Sequence, residues 1–476
     1  MNKTKIISTI GSNSYDPIIL EELIKAGTDV IRFNMSYVDY DFCKDVILTL
    51  DKINKRLGTY VGVMMDLEGS CLRTGKFEGG CATFNKNDKI RIYTDNVLGD
   101  MTHFSVNYPG LIDDLKFRTI IKLNEGLVVM QVIEKGIGYA VCQVIKGGTV
   151  KNNTKVYIPN ITLNKKFLTK QDKNDILFAH KIGVDFLSIS NVSNSDNVLE
   201  VNDLLIELGN NHIELLAKIE NKNAVNDIDA IINAADGIIL SRNDLAVEIP
   251  MEEVPSVKHK LIKKCQKLGK ISVVSAELTS FMQKAIIPNR TEVSDMASAV
   301  TEGVDALMLT AETTIGMHPV EAVKTMEIVI KTAEENINYE YFFDTSLKTE
   351  EKNITSTISS SVVLGARELE CKAIIVATKT GYTARKMSRF RPPCPIVAAS
   401  QNIKVIKSLS LHFGILPVLV TTDEFDLIAS EVKEQVKDIL DLKQGDKVII
   451  TGGVPFKQVK HTNFMKIEEI KGEDYV

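Results

Sequence analysis

Residues 215–250 read LLAKIENKNAVNDIDAIINAADGIILSRNDLAVEIP. An apolar run (213–219) is followed by a helical stretch and a second apolar run (237–240). The first run ends in Lys218 and Glu220, the second in Arg242 and Asp244. If both runs are strands of one parallel sheet, the right-handed crossover between them brings their C-terminal ends side by side. Glu220 and Asp244 then face a common point, with Lys218 and Arg242 close by. Two carboxylates beside two cations suit a divalent metal held together with an anionic, phosphate-bearing ligand. The same four residues also suit an ordinary surface turn, and this stretch alone leaves both readings open.

The rhythm continues on both sides. Strand candidates lie at 4–10, 30–34, 60–66 and 184–190 before the segment, and at 271–275 and 306–310 after it. With the two runs above they make eight parallel strands alternating with helical patterns, an α/β chain. That count favours a closed (β/α)8 TIM barrel over an open doubly wound sheet. Polar groups stand at nearly every strand's C-terminal end: Arg32, Asn34 and Ser36, Asp66, Lys218 and Glu220, Arg242 and Asp244, Glu277, Thr310 and Glu312. In this architecture that face carries the chemistry, which favours the metal reading over the turn.

Between 69 and 159 the period changes to two, with runs at 89–93, 119–123, 127–132 and 139–144 separated by Gly- and Asn-rich turns. This predicts a small β-barrel lid domain inserted after the third strand. The barrel domain is expected over 1–68 plus 160–340. Beyond a charged linker at 344–353, a C-terminal α/β domain is expected over 354–476, with strands at 373–377, 396–399, 416–419 and 447–451. TKTGYT (378–383) follows the first of these strands and opens a helix. Three threonine hydroxyls, a glycine and a helix N-terminus form a candidate phosphate cradle, although many such turns are only helix caps.

At 476 residues the chain is too long for a single core. Its net charge of −5 argues against a nucleic-acid surface. Seven scattered cysteines, odd in number and never paired as C-x-x-C, fit reduced thiols in a cytoplasm rather than a disulfide framework or zinc site. No apolar stretch approaches a membrane span, and the N-terminus is too polar for a signal peptide.

Several long stretches resemble pyruvate kinase: TKIISTIG (4–11), IRFNMSYVDY (31–40), LAKIEN (216–221), DGIILSRNDLAVEIP (236–250), NRTEVSDMASAV (289–300), DALMLTAET (305–313) and TARKMSRFRPPCP (383–395). The resemblance spans essentially the whole chain. It implies phosphoryl transfer from phosphoenolpyruvate to ADP, giving pyruvate and ATP in glycolysis, a reaction governed by positioning and charge neutralisation. By resemblance, Glu220 and Asp244 hold Mg2+, and Lys218 stands beside the phosphoryl in flight. Arg32 binds phosphate, and Arg73 contacts the nucleotide. Asn34, Ser36, Asp66 and the backbone carbonyl of Leu67 match a K+ site. Asn243 and Ala276 join Lys218 and Asp244 around the substrate. Thr378, Lys379, Thr380, Gly381 and Thr383 match an effector-phosphate site, and the implied assembly is a homotetramer.

The departures from that pattern cluster at the active face. Ala276 stands where the resemblance expects the hydroxyl used in enolate protonation, and Glu277 where it expects a neutral amide. Strand alternation is expected to point Ser275 to the other face. Glu68 replaces a lysine, and Cys71 takes the position whose Glu or Lys identity tracks K+ dependence. Asn243 and Ala246 replace glycines in the anion-binding turn. Tyr37, Ser12, Ile315, Gln171, Asn124 and Glu125 depart on the nucleotide and lid side. Three readings follow: a working but weakened kinase, a phosphoenolpyruvate or sugar-phosphate sensor without turnover, and a metal-enolate lyase or decarboxylase.

Overall fold

The computed structural model describes residues 1–161, 163–210, 212–275, 280–348, 352–422, 424–453 and 462–471. Eight parallel strands close on one another: β1 (Lys5–Thr9), β2 (Val30–Asn34), β3 (Gly62–Asp66), β4 (Phe186–Ile189), β5 (Glu214–Ile219), β6 (Gly237–Ser241), β7 (Ile271–Ser275) and β8 (Ala306–Leu309). Alternate residues divide between two cores. Ile7, Val30, Met64, Leu216, Ile239 and Val273 belong to the lumen cluster. Ile31, Phe33, Met65, Ala217, Ile238 and Leu240 belong to the cluster outside it, against the helices. Two positions beyond the lumen residues, on the same parity, come Arg32, Asp66, Lys218 and Ser241. Ser275 also lies two positions beyond Val273 and is buried. It therefore shares the interior parity, contrary to the outward placement expected from position 276.

At the opposite rim one device repeats four times. Asp29, Asp185, Asp236 and Asp305 each immediately precede an even-numbered strand. Each uses Oδ2 to accept a backbone N–H from the neighbouring odd-numbered strand. The donors are Ile6, Val63, Leu215 and Ser272, at 2.9 Å in every case. A carboxyl-to-amide bond at the same point of each strand pair fixes their stagger.

The inserted domain carries a six-stranded sheet ordered Val156–Tyr157, Ile120–Leu123, Val128–Gly136, Tyr139–Lys146, Lys89–Tyr93, His103–Ser105, with a two-stranded sheet beside it. Its two connections to the barrel run antiparallel: Thr74 N–H donates to Thr154 O at 2.9 Å, and Val156 N–H to Leu72 O at 2.8 Å.

The C-terminal sheet comprises β9 (Ala373–Ala377), β10 (Ile396–Ser400), β11 (Ile415–Leu419), β12 (Lys447–Gly452) and β13 (Phe464–Glu469), ordered β11-β10-β9-β12-β13. β13, which the sequence pattern does not predict, pairs antiparallel to β12. This unit plugs the N-terminal end of the barrel. Leu411 joins the lumen cluster, Arg391 pairs with Asp305 at 2.8 Å, and Lys5 Nζ donates to Ile415 O at 2.8 Å. Part of the expected linker at 344–353 is instead the end of the helix Tyr339–Leu347. Phe342 and Phe343 anchor that helix by burial. Among the described residues no helix is long and apolar enough to cross a membrane.

Burial pushes the Asp185 carboxyl up to about 7. The folded chain therefore keeps a proton that the unfolded chain releases near the ordinary carboxylate pKa of about 3.9. Stability contributed here falls as pH rises from about 4 to about 7, by up to ~1.4 kcal/mol per pH unit. Asp185→Asn keeps an acceptor for Val63 N–H and removes that titration. Urea midpoints measured across this window should be flatter for the variant than for the wild type.

Candidate active site

The polar residues at the C-terminal ends of the strands converge. Arg32, on β2, donates through Nε to Asp66 Oδ2 at 2.9 Å and again through Nη2. Its Nη1 reaches Thr9 Oγ1 at 2.8 Å. Asp66 Oδ1 accepts the hydroxyls of Ser188 at 2.8 Å and Ser190 at 3.4 Å. Lys218 Nζ, from β5, lies 3.5 Å from Asp66 Oδ2 and 3.0 Å from Glu220 Oε1, and donates to Ser190 Oγ at 3.0 Å. Glu220 Oε2 accepts the backbone N–H of Asn191 at 2.9 Å.

Asp244 completes the group from the helix Arg242–Glu248, which starts directly after β6. Its Oδ2 accepts the Ser241 hydroxyl at 2.7 Å. Its Oδ1 accepts Lys155 Nζ at 2.6 Å and Tyr157 OH at 2.7 Å. Sequence reasoning missed Lys155 and Tyr157. The available signal was the period of two in TKVYIP, which sets both polar groups on one side of buried Val156.

The electrostatics follow from these contacts. Burial raises the Asp66 carboxyl, but the Lys218 and Arg32 charges outweigh it and hold it below the usual range. Burial lowers the Lys218 ammonium, and Asp66 and Glu220 more than reverse that. Burial likewise raises Asp244, and the Lys155 charge and hydrogen bond carry it well below an ordinary carboxylate. Asp66 and Asp244 are thus ionised and Lys218 is charged at neutral pH.

These groups open on a cleft of about 410 Å³. Asn34, Ser36, Asp66 and Leu67, the residues expected around K+, all line it, and Arg73 stands there 3.3 Å from Glu68. Asn34 Oδ1 accepts Ser36 N–H at 3.2 Å.

The expectation for Arg242 fails. Its Nη1 pairs with Asp295 at 2.9 Å, and it lines a neighbouring hollow together with Asn243 and Ala246. Two residues apart on a strand share a face, whereas on a helix they lie about 200° apart. Because Arg242 already belongs to the helix, Asp244 and Arg242 diverge. Ala276 and Glu277 lie outside the described residues.

In the C-terminal domain, Thr378 to Gly381 form a bend that leads into the helix Tyr382–Ser388, which holds Thr383. Gly381 adopts φ 78°, which lets its N–H reach Thr378 Oγ1 at 3.0 Å. The Thr383 and Thr462 hydroxyls are 2.7 Å apart, and Arg385 Nη1 donates to Thr380 O at 3.0 Å. Arg385 also pairs with Glu214, the first residue of β5.

The family model described as pyruvate kinase, barrel domain, matches residues 1–323, and that described as pyruvate kinase, alpha/beta domain, matches residues 356–468. The chain belongs to the pyruvate kinase family. It is 38% identical over 474 residues to the pyruvate kinase of Geobacillus stearothermophilus, covering 98% of this chain and 80% of that one. The Clostridium perfringens pyruvate kinase is 34% identical, with 99% and 100% covered. A crystal structure of a pyruvate kinase from Cryptosporidium parvum superposes with a TM-score of 0.92 at 29% identity, covering 98% and 96% of the two chains.

Pyruvate kinases are phosphotransferases that normally use Mg2+ and K+. Two hard carboxylates beside a polar cleft fit Mg2+ in kind, because that ion takes one or two protein carboxylates and completes its shell with water and phosphate. No group of three or more His, Cys, Asp or Glu that could hold a metal occurs among the described residues. The four oxygens of Glu220 and Asp244 are, however, each already met by a donor of the chain itself.

Asp66→Asn should leave Arg32 and Lys218 facing a neutral partner and cost about 3–5 kcal/mol at neutral pH, as for other broken buried pairs. Because the folded carboxyl sits below the ordinary range, the wild-type advantage is present above that range. It disappears as pH falls through the folded pKa. Guanidinium unfolding of both proteins at neutral and strongly acidic pH checks the difference and its loss.

Proposed function

We propose that this chain transfers the phosphoryl group of phosphoenolpyruvate to ADP, releasing pyruvate and ATP. The observation that carries the reading is Lys218, within 3.5 Å of Asp66 and 3.0 Å of Glu220 at the mouth of a cleft that Asp244 also lines. A charged ammonium held by two acids is positioned before substrate arrives, which is what electrostatic stabilisation of a phosphoryl in flight requires.

In this proposal Glu220 and Asp244 hold the divalent ion. When bound, Mg2+ neutralises charge on the phosphoryl and enolate oxygens. Arg32 and Lys218 gather the phosphate, Asp66 fixes the orientation of both cations, and Arg73 meets the nucleotide. Asn34, Ser36, Asp66 and the Leu67 carbonyl supply oxygens for K+. With alanine at 276, enolate protonation is expected to be slow, by about 10²–10⁴-fold for a lost proton-transfer group.

A coupled assay with phosphoenolpyruvate, ADP, Mg2+ and K+ should show pyruvate release that Lys218→Ala lowers by at least about 10²-fold, the usual loss for one preorganised donor. Pyruvate formation no greater than that of the variant would refute the reading. One observation favours the second reading, a sensor without turnover: Lys155 and Tyr157 already hold Asp244. Calorimetric binding of phosphoenolpyruvate with Mg2+, without turnover, would select it.

We also assign the Thr378, Lys379, Thr380, Gly381 and Thr383 turn to the phosphate of a sugar-phosphate or nucleoside-phosphate effector acting on a cytoplasmic homotetramer. The support is the Thr380–Arg385–Glu214 connection, which joins the turn to the strand bearing Lys218. Thr378→Ala with Thr383→Ala should abolish the kinetic response to phosphorylated effectors. An unchanged response would remove the assignment.

A further inference from the structure

We propose that Lys155 is an internal cation that competes with the divalent metal for Asp244. The inference rests on Glu220 and Asp244 being the metal carboxylates, and does not require turnover. Asp244 Oδ1 accepts Lys155 Nζ at 2.6 Å and Tyr157 OH at 2.7 Å, so both of its lone pairs are engaged. An inner-sphere Mg2+ would sit about 2.0–2.1 Å from that oxygen and cannot share it with both donors. Asp244 Oδ2 already accepts the Ser241 hydroxyl. The Lys155 side chain is only 24% exposed, and Glu220 as well as Asp244 acts on its ammonium. The ammonium thus lies in the field of both carboxylates, in the role the metal would fill.

Lys155 is also placed so that it can leave. It sits where the inserted domain rejoins the barrel, in a bridge with Arg73 flanked by the Thr74–Thr154 and Val156–Leu72 hydrogen bonds. It is no part of a barrel strand, so its withdrawal breaks none of the barrel's ladders. The same domain holds the far end of the Asp244 helix through Lys122 Nζ on Val247 O at 2.5 Å. That contact leaves the helix anchored when Lys155 moves. Coupling between two ligands of one site is reciprocal. Neutralising Lys155 therefore strengthens metal binding by the amount that Lys155 now opposes it.

The test uses Mn2+ alone, without phosphoenolpyruvate or ADP, with free Mn2+ counted by electron paramagnetic resonance on the full chain. Lys155→Met should bind Mn2+ about 5–150-fold more tightly than the wild type, the usual range of coupling between sites. Lys155→Arg, which keeps the charge, should stay near the wild type. Mn2+ binding by Lys155→Met no tighter than by the wild type overturns the proposal, as does an equal gain in Lys155→Arg. If a melting curve shows Lys155→Met unfolded, Lys155→Gln takes its place in the same comparison. A gain in Mn2+ affinity in Lys155→Met, together with a wild type that forms no more pyruvate than Lys218→Ala, would sustain this inference and remove the phosphoryl-transfer reading.

Discussion

Everything in this molecule depends on the register of eight parallel strands, and four aspartates at the closed end of the barrel hold that register. Each one ties a backbone N–H of its neighbouring strand at the same height. A slip of one residue in any pair would turn lumen side chains outward and outer ones inward. The site would be lost with the core, because Arg32, Asp66 and Lys218 lie on the same parity as Val30, Met64 and Leu216. One of the four also attaches the C-terminal domain: Asp305 Oδ2 accepts the Ser272 N–H and its Oδ1 accepts Arg391 Nη1. Closure of the barrel and orientation of the site thus share one repeated contact, and Asp305 links it to the third domain, which also docks through Leu411 and the Lys5–Ile415 bond.

That contact explains why so much was legible in the sequence. Alternation between lumen and helix layer is a property of each strand taken alone, so the runs around Val30, Met64, Leu216 and Ile239 disclosed both the barrel and the residues that cap it. What alternation could not disclose was where a strand stops. In DGIILSRNDLAVEIP nothing in the pattern shows that the helix begins at Arg242, and that single boundary sends Arg242 to Asp295 while Asp244 enters the cleft. Contacts across long separations were equally hidden. Lys155 and Tyr157 meet Asp244 across 89 and 87 residues, and only the folding back of the inserted domain joins them. β13 escaped because an edge strand facing solvent, FMKIEE, is too polar to stand out from its surroundings. The Tyr339–Leu347 helix escaped because its charges resemble those of a linker and its aromatic anchors are only two residues wide.

The charge inventory of the cleft bears on how it would receive a ligand. At its centre Asp66, Glu220 and Asp244 are matched by Arg32, Lys218 and Lys155, three charges of each sign with a hydrogen bond or ion pair satisfying each member, while Arg73, Glu68 and Glu125 also line the cleft. A central group balanced in this way has no net attraction for an anion. Arg32 is shared between Asp66 and Thr9, and Lys218 between two acids and Ser190, so an incoming phosphate must draw on cations that are already engaged. A divalent ion changes the balance. Taking Asp244 from Lys155, it would add two positive charges and leave the Lys155 ammonium without its Asp244 partner in the same cleft. These six central groups and the ion would then carry an excess of two positive charges when a phosphate-bearing anion arrives. Metal and anion would strengthen each other's binding through this exchange, without any movement of the barrel strands.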